Sequence, residues 1–421
     1  MPLNHFPKVL EIKDPIHGYI GLSEVEETIL DLRMTQRLRN IRRPASTNLV
    51  YPGAATSSMG GTLGTLHVTG LFFDYLGASP ENTQKARIAS LLHSLSCGPW
   101  SNVMDEYLAT RGINRVRLAE LIVKKTRLGD ILEEHGYSCG EAVEWLSEGL
   151  PTKGLRLNLE TCPINPELID RLERDSYFAG VEYAQIELQR LFSATRIAKD
   201  TLAIERGALY TLESYLSAGA NMFDAVYYHK TVRAAELMLL RILNVAGSEI
   251  FESPREDLSS FLKLDDLSIR HILLHPPDDA SEAYTRASNL FEDYSRRYLI
   301  KLASERAIAN TDFLSRIDTP DGRLAIETEI AEDADIAPRN VYLDYPYRLS
   351  VCHHPSRIDL DNLALYERGS RGYEFWAVTD MSMIARSFRR LSKSIRVYTT
   401  RGYRSRVRKA ADELLESIEI E

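Results

Sequence analysis

The sequence has few cysteines and lacks the long apolar runs that cross membranes. Its four cysteines, at positions 97, 139, 162 and 352, form no C-x-x-C pair. This spacing indicates neither a zinc ribbon nor a disulfide framework and favours a reducing compartment. No run of about 18 apolar residues occurs, which argues against a membrane span, and the first residues lack the basic and apolar regions of a signal peptide. We therefore expect a cytoplasmic protein with no membrane partner.

Length and composition indicate a globular protein with more than one domain. A chain of 421 residues is too long for one ordinary hydrophobic core, and its apolar fraction of 44% is typical of soluble proteins. Helical periodicity dominates the first three quarters of the chain, and strand-like alternation appears after it. We predict a mainly α fold with a helical core domain over 1–246, a helical extension over 247–310 and a small α+β domain over 311–421.

The prediction is organised around the stretch 86–104, ARIASLLHSLSCGPWSNVM. Its apolar residues recur at helical spacing, and His93 and the Gly98-Pro99 break lie where a helix would deliver side chains into a cleft. A lone histidine on an apolar helix face is also typical of a hydrogen-bonded core residue. His93 and Cys97 are one helical turn apart, so an imidazole and a thiol could pair, but no third residue is evident to orient them.

Other segments predict further helices and a few strands. Ser23 and Glu26 form a capping-box pattern that predicts a helix running to about Arg43, where Pro44 ends it. Further helices are predicted at about 62–76, 115–126, 133–148, 166–180, 206–220 and 222–246, with a strand region near 194–205. In the last part, 340–343 and 394–399 alternate like strands, and 323–332 and 403–418 are predicted helices.

The charge is distributed unevenly along the chain. The formal net charge is −9, yet the segment 386–409 contains ten Lys or Arg and no Asp or Glu. Such a run is typical of a solvated helical face, and it is also typical of a site that contacts phosphate or nucleic acid. The candidate anion-binding residues are Arg386, Arg389, Arg390, Lys393, Arg396, Arg401 and Arg404.

Six ordered motifs carry a resemblance to a known family. They are KDPIHGYI (13–20), ILDLRMTQRLRNIR (29–42), LVYPGA (49–54), LLHSLSCGPWS (91–101), RDSYFAGV (174–181) and VYYHKTVRAAELMLLRIL (226–243). Together they resemble the HD-domain deoxynucleoside triphosphate triphosphohydrolases, the dGTPase-like HD phosphohydrolases. The resemblance spans roughly residues 8–246 and implies a helical HD core that assembles as a homodimer or a larger homo-oligomer.

The resemblance also implies a metal site, and this chain departs from it. In the family, a divalent metal (Mg, Mn or Fe) lowers the pKa of its water and offsets charge on the triphosphate. Its ligands are a His, an adjacent His-Asp pair and a later Asp. The corresponding positions here are Gly61, the pair His93-Ser94, and Glu167. Only one of the four ligands survives unchanged, and only one other position keeps a chemically similar carboxylate. We therefore expect no bound metal cofactor.

Other family positions have changed as well. Cys97 and Asn102 stand where the family has two His residues that handle proton transfer and phosphate contact. Three more positions, which bind triphosphate in the family as Arg, Lys and Arg, hold Ser58, Leu168 and Gly219, and Arg43 replaces a sugar-contacting Gln. Asp175 and Tyr227 complete the remnant cleft. Gly219 has no side chain and Leu168 has no charge, so the resemblance implies a cleft with no intact catalytic set.

A second, regulatory nucleotide site is implied by other matches. Asp31, Gln36 and Arg39 correspond to residues that read a guanine between subunits in nucleotide-activated members of the family, and Lys230 corresponds to a phosphate-contacting Lys. An Asp can accept hydrogen bonds from a guanine, and an Arg can pair with phosphate. The same spacing also suits salt bridges within one helix.

Three hypotheses about function follow. The first is a pseudoenzyme that keeps the HD scaffold for binding, assembly or regulation and retains a nucleotide site. The second is an active metal-dependent nucleotide or phosphoester hydrolase with a rearranged site, in which His93, Glu167 and Asp175 surround a weakly held Mg ion. The third is a nucleic-acid-binding module that uses the basic segment near the C-terminus.

Overall fold

The computed structural model describes residues 8–308, 310–345, 358–370, 372–388 and 394–420. Helices form most of this part of the chain, so the predicted mainly α fold is confirmed. They are α1 (Glu24–Leu30), α2 (Arg33–Gln36), α3 (Ser58–Tyr75), α4 (Pro80–Leu95), α5 (Asn102–Ala109), α6 (Arg115–Lys125), α7 (Leu128–Glu134), α8 (Cys139–Ser147), α9 (Pro166–Ala179), α10 (Leu188–Ser193), α11 (Leu209–Met222), α12 (Lys230–Ile250), α13 (Leu258–Phe261), α14 (Asp266–Leu274), α15 (Glu282–Ser295), α16 (Thr311–Ile317), α17 (Pro320–Asp333), α18 (Val378–Met381), α19 (Met383–Phe388) and α20 (Arg404–Ile420).

The strands form small sheets. They are β1 (Leu10–Asp14), β2 (Gly18–Leu22), β3 (Leu150–Thr152), β4 (Leu155–Leu157), β5 (Thr195–Ala198), β6 (Thr201–Glu205), β7 (Lys301–Ala307), β8 (Val341–Asp344), β9 (Leu363–Gly369), β10 (Gly372–Ala377) and β11 (Ser394–Thr399). β1 and β2, and β3 and β4, form antiparallel hairpins. A four-stranded sheet has the order β10-β9-β6-β5, and a three-stranded sheet has the order β7-β11-β8. The described residues contain no helix that is both long enough and apolar enough to span a bilayer.

The predicted helix from Ser23 to Arg43 is divided. The capping box at Ser23 forms as expected, but α1 ends at Leu30 and Leu32 is extended. Two side chains then take over the carbonyl groups that the helix leaves open. Thr35 Oγ1 donates to Ile29 O at 2.6 Å, and Gln36 Nε2 donates to Leu30 O at 2.8 Å. These bonds hold a bend where periodicity predicts one rod.

Two other predicted helices are interrupted by local backbone geometry. The helix expected over 133–148 is two helices, α7 and α8, because Gly136 between them adopts a positive φ of 82° that a helix cannot continue. The helix expected over 222–246 begins as a π-helical turn, Phe223–Tyr227, and α12 starts only at Lys230. The ring of His229 caps α12 by accepting from Thr231 N.

A buried ion pair fixes α4 on the first helix. Arg87 Nε and Nη2 donate to the two carboxylate oxygens of Glu26, each at 2.8 Å, and Nη2 also donates to Gly21 O at 2.7 Å. Both side chains are fully buried. A bidentate pair has strict geometry, so it sets the angle at which α4 crosses α1 and thereby positions His93.

The helix α9 carries one wall of the candidate site. Its sequence defines both ends: Asn165 caps it by accepting from Leu168 N, Pro166 occupies the first turn, and Gly180 ends it with a positive φ of 70°. It packs closely on α3 at Gly64, where an added Cβ would lie 1.8 Å from Asp170 Oδ1. Only glycine fits at that crossing, so α9 lies against α3.

Candidate functional site

The centre of the candidate site is the carboxylate of Glu167. Its Oε1 accepts hydrogen bonds from Arg43 Nη2 at 2.6 Å, Arg115 Nη1 at 2.8 Å and Arg171 Nη2 at 3.2 Å. His93 Nδ1 lies 3.4 Å from its Oε2. We call these five residues the Glu167 cluster. Four elements meet in it, since Arg43 precedes α3, His93 lies on α4, Arg115 begins α6, and α9 contributes the rest.

Gly61 explains how Arg43 reaches the cluster. A Cβ built on Gly61 would lie 3.0 Å from Arg43 Nη1, in tight contact. A histidine side chain at this position would therefore collide with the guanidinium group. The glycine and the arginine act as a pair, because the missing side chain leaves the space that the guanidinium group occupies.

Two further cleft residues, Ser94 on α4 and Cys97 just after it, contact other protein groups. The Ser94 hydroxyl donates to Ser90 O at 3.0 Å, within its own helix. Cys97 is buried, and its Sγ lies 3.4 Å from the hydroxyl of Ser58. Burial raises the pKa of the Cys97 thiol, so this group is a thiol rather than a thiolate near neutral pH. The pairing of His93 with Cys97 that the sequence allows is replaced by contacts to Glu167 and Ser58.

Asn102, Asp175 and Tyr227 also have partners in the protein. Asn102 Nδ2 donates to Glu236 Oε1 at 2.9 Å, away from Glu167. Tyr227 OH donates to Asp175 Oδ2 at 2.9 Å. Burial raises the pKa of Asp175 to about 6 despite the opposing effect of Arg171 and Arg43. Asp175 is thus a hydrogen-bonded acid at the edge of the cleft.

The charge balance around Glu167 is positive. Burial alone would raise the pKa of Glu167, but Arg115, Arg43 and His93 hold it well below its usual range, so Glu167 is ionised. Three guanidinium groups surround this one carboxylate. The partly buried Asp105 lies nearby, and desolvation raises its pKa. Such a site attracts anions and repels a further cation.

The residues present do not fit a divalent metal. The oxygen Glu167 Oε1 already accepts three hydrogen bonds, Gly61 offers no ligand atom, and the Ser94 hydroxyl is bonded to the backbone. Within the described ranges there is no group of three or more His, Cys, Asp or Glu side chains that could hold a metal ion. His93, Glu167 and Asp175 are therefore not brought together as a ligand set.

The other replaced family positions contribute no charge to the cleft. Leu168 packs against the main hydrophobic core. Gly219 is buried on α11, and an added Cβ there would meet nothing within 4 Å. The space beside Gly219 is therefore open, in contrast to the filled space beside Gly61.

The predicted nucleotide-binding residues lie on separate elements: Asp31, Gln36 and Arg39 lie in or beside α2, and Lys230 begins α12. Asp31, Arg39 and Lys230 are exposed. Arg39 Nε donates to Gln36 Oε1 at 2.7 Å, so these two side chains are already paired with each other. No ion pair joins Asp31 to Arg39 among the described residues, which is the interaction that the alternative interpretation required.

The basic segment near the C-terminus lies partly outside the described residues, and its described arginines contact other protein groups. Arg389, Arg390 and Lys393 lie outside the described residues. Arg396 is largely buried, donates to Glu305 Oε1 at 2.8 Å and stacks 3.8 Å from the ring of Tyr228. Three more arginines have partners: Arg386 donates to Thr379 O at 3.0 Å, Arg404 donates to Leu302 O at 2.8 Å, and Arg401 lies over the ring of Tyr298 at 4.7 Å.

Sequence reasoning missed Arg115, Arg171 and Asp105. Arg171 lies four residues after Glu167 on α9, a spacing that favours an ion pair. This spacing was the one available signal. Arg115 is 52 residues from Glu167 in the sequence, and only the packing of α6 against α4 brings it there. Asp105 follows Asn102 by three residues on α5 and carries no recognisable pattern.

Comparison with known families identifies the scaffold. The model of the HD associated region matches residues 186–420, more than half of the chain. Proteins named deoxynucleoside triphosphate triphosphohydrolase SAMHD1, or its homolog, match as well. The chain belongs to the HD-domain phosphohydrolase superfamily. The resemblance drawn from the six motifs is thereby confirmed at the level of the superfamily.

The proteins that this chain resembles in sequence are distant relatives. An uncharacterized protein of Methanocaldococcus jannaschii, MJ1154, is 29% identical over 294 residues, which cover 69% of this chain and 58% of that protein. The uncharacterized protein YwfO of Bacillus subtilis is 28% identical over 56% of this chain and 55% of its own length. The SAMHD1 homolog of Dictyostelium discoideum is 22% identical over 80% of this chain and 68% of its length. The chain thus spans less than three fifths of the length of the first two relatives.

A solved structure shares the fold. The crystal structure of a hypothetical protein from Aquifex aeolicus superposes with a TM-score of 0.73 at 23% identity and covers 96% of this chain and 99% of that one. At this identity the likeness concerns the fold alone. The arrangement of helices is therefore common to both proteins.

Proposed function

We propose that this chain is a catalytically degenerate HD-family protein, a pseudoenzyme that has exchanged metal-dependent triphosphate hydrolysis for a binding, assembly or regulatory role. The observation that carries the proposal is the Glu167 cluster, in which Arg43, Arg115 and Arg171 surround the one carboxylate left at the family's metal positions. We further propose that it is a cytoplasmic homo-oligomer.

The chemistry of guanidinium supports a loss of hydrolysis. A guanidinium group is charged at all relevant pH values, so it cannot take a proton from water. It also has no open coordination position to bind water and lower its pKa, as a metal does. Arg43 can therefore attract a phosphate group, but it cannot generate the nucleophile that hydrolysis needs.

The residues at the family's proton-transfer positions also support a loss of hydrolysis. Cys97 is buried with a raised pKa, and Asn102 does not titrate and is bonded to Glu236. The competing hypothesis of a rearranged hydrolase needs His93, Glu167 and Asp175 as metal ligands. Because Glu167 is bonded to arginines and Asp175 to Tyr227, the contacts favour the pseudoenzyme.

A retained nucleotide site fits the proposal. The exposed side chains of Asp31, Arg39 and Lys230 remain accessible to a ligand at the surface. A retained site predicts that guanine nucleotides bind to the protein without being hydrolysed.

The test is an assay of all four deoxynucleoside triphosphates with Mg, Mn or Fe(II), with products separated by chromatography. The proposal predicts no triphosphate or phosphate release above a blank without protein. Turnover that is abolished by His93→Ala, while Ser94→Ala stays active, would overturn it. Circular dichroism of both variants establishes that each is folded.

A further inference from the structure

A second group of titratable side chains lies beside α9, separate from the Glu167 cluster. It borders a cavity of about 330 Å³ that the hydrolase resemblance does not use. Four parts of the chain form its walls: the turn between β1 and β2 with His17, the helix α3, the helix α9 with Glu173, and the helix α10 with Ile186 just before it. His67, Leu71 and Tyr75 recur at every fourth position of α3 and so line one wall.

One polar atom in this wall is left without a partner. His67 is 4% exposed, and its Nδ1 is buried without a hydrogen bond to any described residue. Burial lowers the pKa of His67 to about 3, so the ring is neutral and one of its nitrogens is an acceptor. In the tautomer with its proton on Nε2, Nδ1 is a buried acceptor without a donor, which is costly, and a ligand that donates a hydrogen bond removes that cost.

The charges around the cavity are mostly negative. Arg174 on α9 is held by Asp14 and Asp170, each at 2.8 Å. His17 Nε2 lies 2.8 Å from the same Asp170. No Lys or Arg is among the described residues that line the cavity, whereas Glu173 does line it. Burial raises the pKa of Glu173 to about 7, and this effect outweighs the opposing charges of His17 and Arg174.

Apart from Tyr75 and Gln189, the rest of the described lining is apolar. Ile16, Ile186, Leu188 and Phe192 join Leu71 to form a hydrophobic surface. A ligand must therefore combine an apolar body with a cationic donor group at one end. Cavities of this kind and size suit small organic molecules.

We propose that this cavity binds a small organic amine, with its apolar body against Leu71 and Phe192 and its ammonium group between Glu173 and His67. The ammonium group donates to the Glu173 carboxylate and to His67 Nδ1. Because this site shares α9 with the Glu167 cluster but none of its residues, it does not rest on the proposed loss of hydrolysis.

The test is isothermal titration of the full-length protein with phenethylamine, cyclohexylamine and hexylamine, and with phenylacetate as the matched anion. The expected result is saturable binding of at least one amine and none of phenylacetate. Glu173→Gln should weaken the amine at least about tenfold, since a charge-assisted hydrogen bond is lost. Glu187→Gln makes the same charge change on an exposed neighbouring residue outside the lining and should leave affinity unchanged.

Leu71→Trp is a second, independent variant, because it fills the cavity and should abolish binding while the melting temperature stays near that of the wild type. The proposal is overturned if none of the three amines binds at millimolar concentration, or if phenylacetate binds as well as the amines. It is also overturned if Glu173→Gln and Glu187→Gln bind equally.

Discussion

Replacing Glu167 by Gln tests the cluster most sharply, since it removes one charge and little volume. Three guanidinium groups would then face one another without the carboxylate that they now share. Neutralising one partner of a buried ion pair costs about 3–5 kcal/mol. The Glu167 side chain is 18% exposed, so water screens part of the repulsion, and we expect about 3 kcal/mol at the lower end of that range.

The assay is urea denaturation followed by far-UV circular dichroism at neutral pH. Glu144→Gln is the matched control, because Glu144 pairs with Arg156 at 3.6 Å on the surface, where both side chains are about half exposed. Such surface pairs contribute about 0–1 kcal/mol. The variant cluster should also become an anion site, so inorganic phosphate should raise the stability of Glu167→Gln more than that of the wild type. Equal stabilities of Glu167→Gln and Glu144→Gln would refute the reasoning.

Three further predictions follow from buried groups. Burial raises the pKa of Asp175 to about 6 from 3.8, so its neutral form is favoured in the folded state. The wild type should therefore lose stability relative to Asp175→Asn as the pH rises from about 4 to 6. Urea denaturation of both proteins at each pH measures this difference. Cys97 should react with iodoacetamide only after unfolding, because its thiol is buried and its pKa is raised, as mass mapping of the labelled peptide would check. Arg87→Ala should cost about 3–5 kcal/mol in the free energy of unfolding, since it leaves the Glu26 carboxylate buried and unpaired.

Local sequence signals predicted many elements closely. The helix expected at 115–126 is Arg115–Lys125, and the one at 166–180 is Pro166–Ala179, because each has a clear cap and an apolar face. The strand region near 194–205 is the hairpin of β5 and β6. Where the predictions of long helices were wrong, side chains such as Thr35 or a glycine such as Gly136 stabilise a break that periodicity does not register.

The candidate site was only partly predictable. The resemblance indicated which positions had changed, including Gly61 and Glu167, but it did not say what replaced the missing ligands. That replacement depends on Arg43 and Glu167 meeting across 124 residues of sequence, which helix packing alone decides. The cavity beside His67 was missed for the same reason, since its walls come from four separate segments.

The central claim is that guanidinium groups now occupy the place of the family's metal. Its most direct test is equilibrium dialysis of the purified full-length protein against Mn(II), Fe(II) and Mg(II), with bound metal measured by mass spectrometry. The account predicts far less than one metal ion per chain and no difference between wild type and His93→Ala. One tightly held ion per chain, lost on replacement of His93 or Glu167, would contradict it.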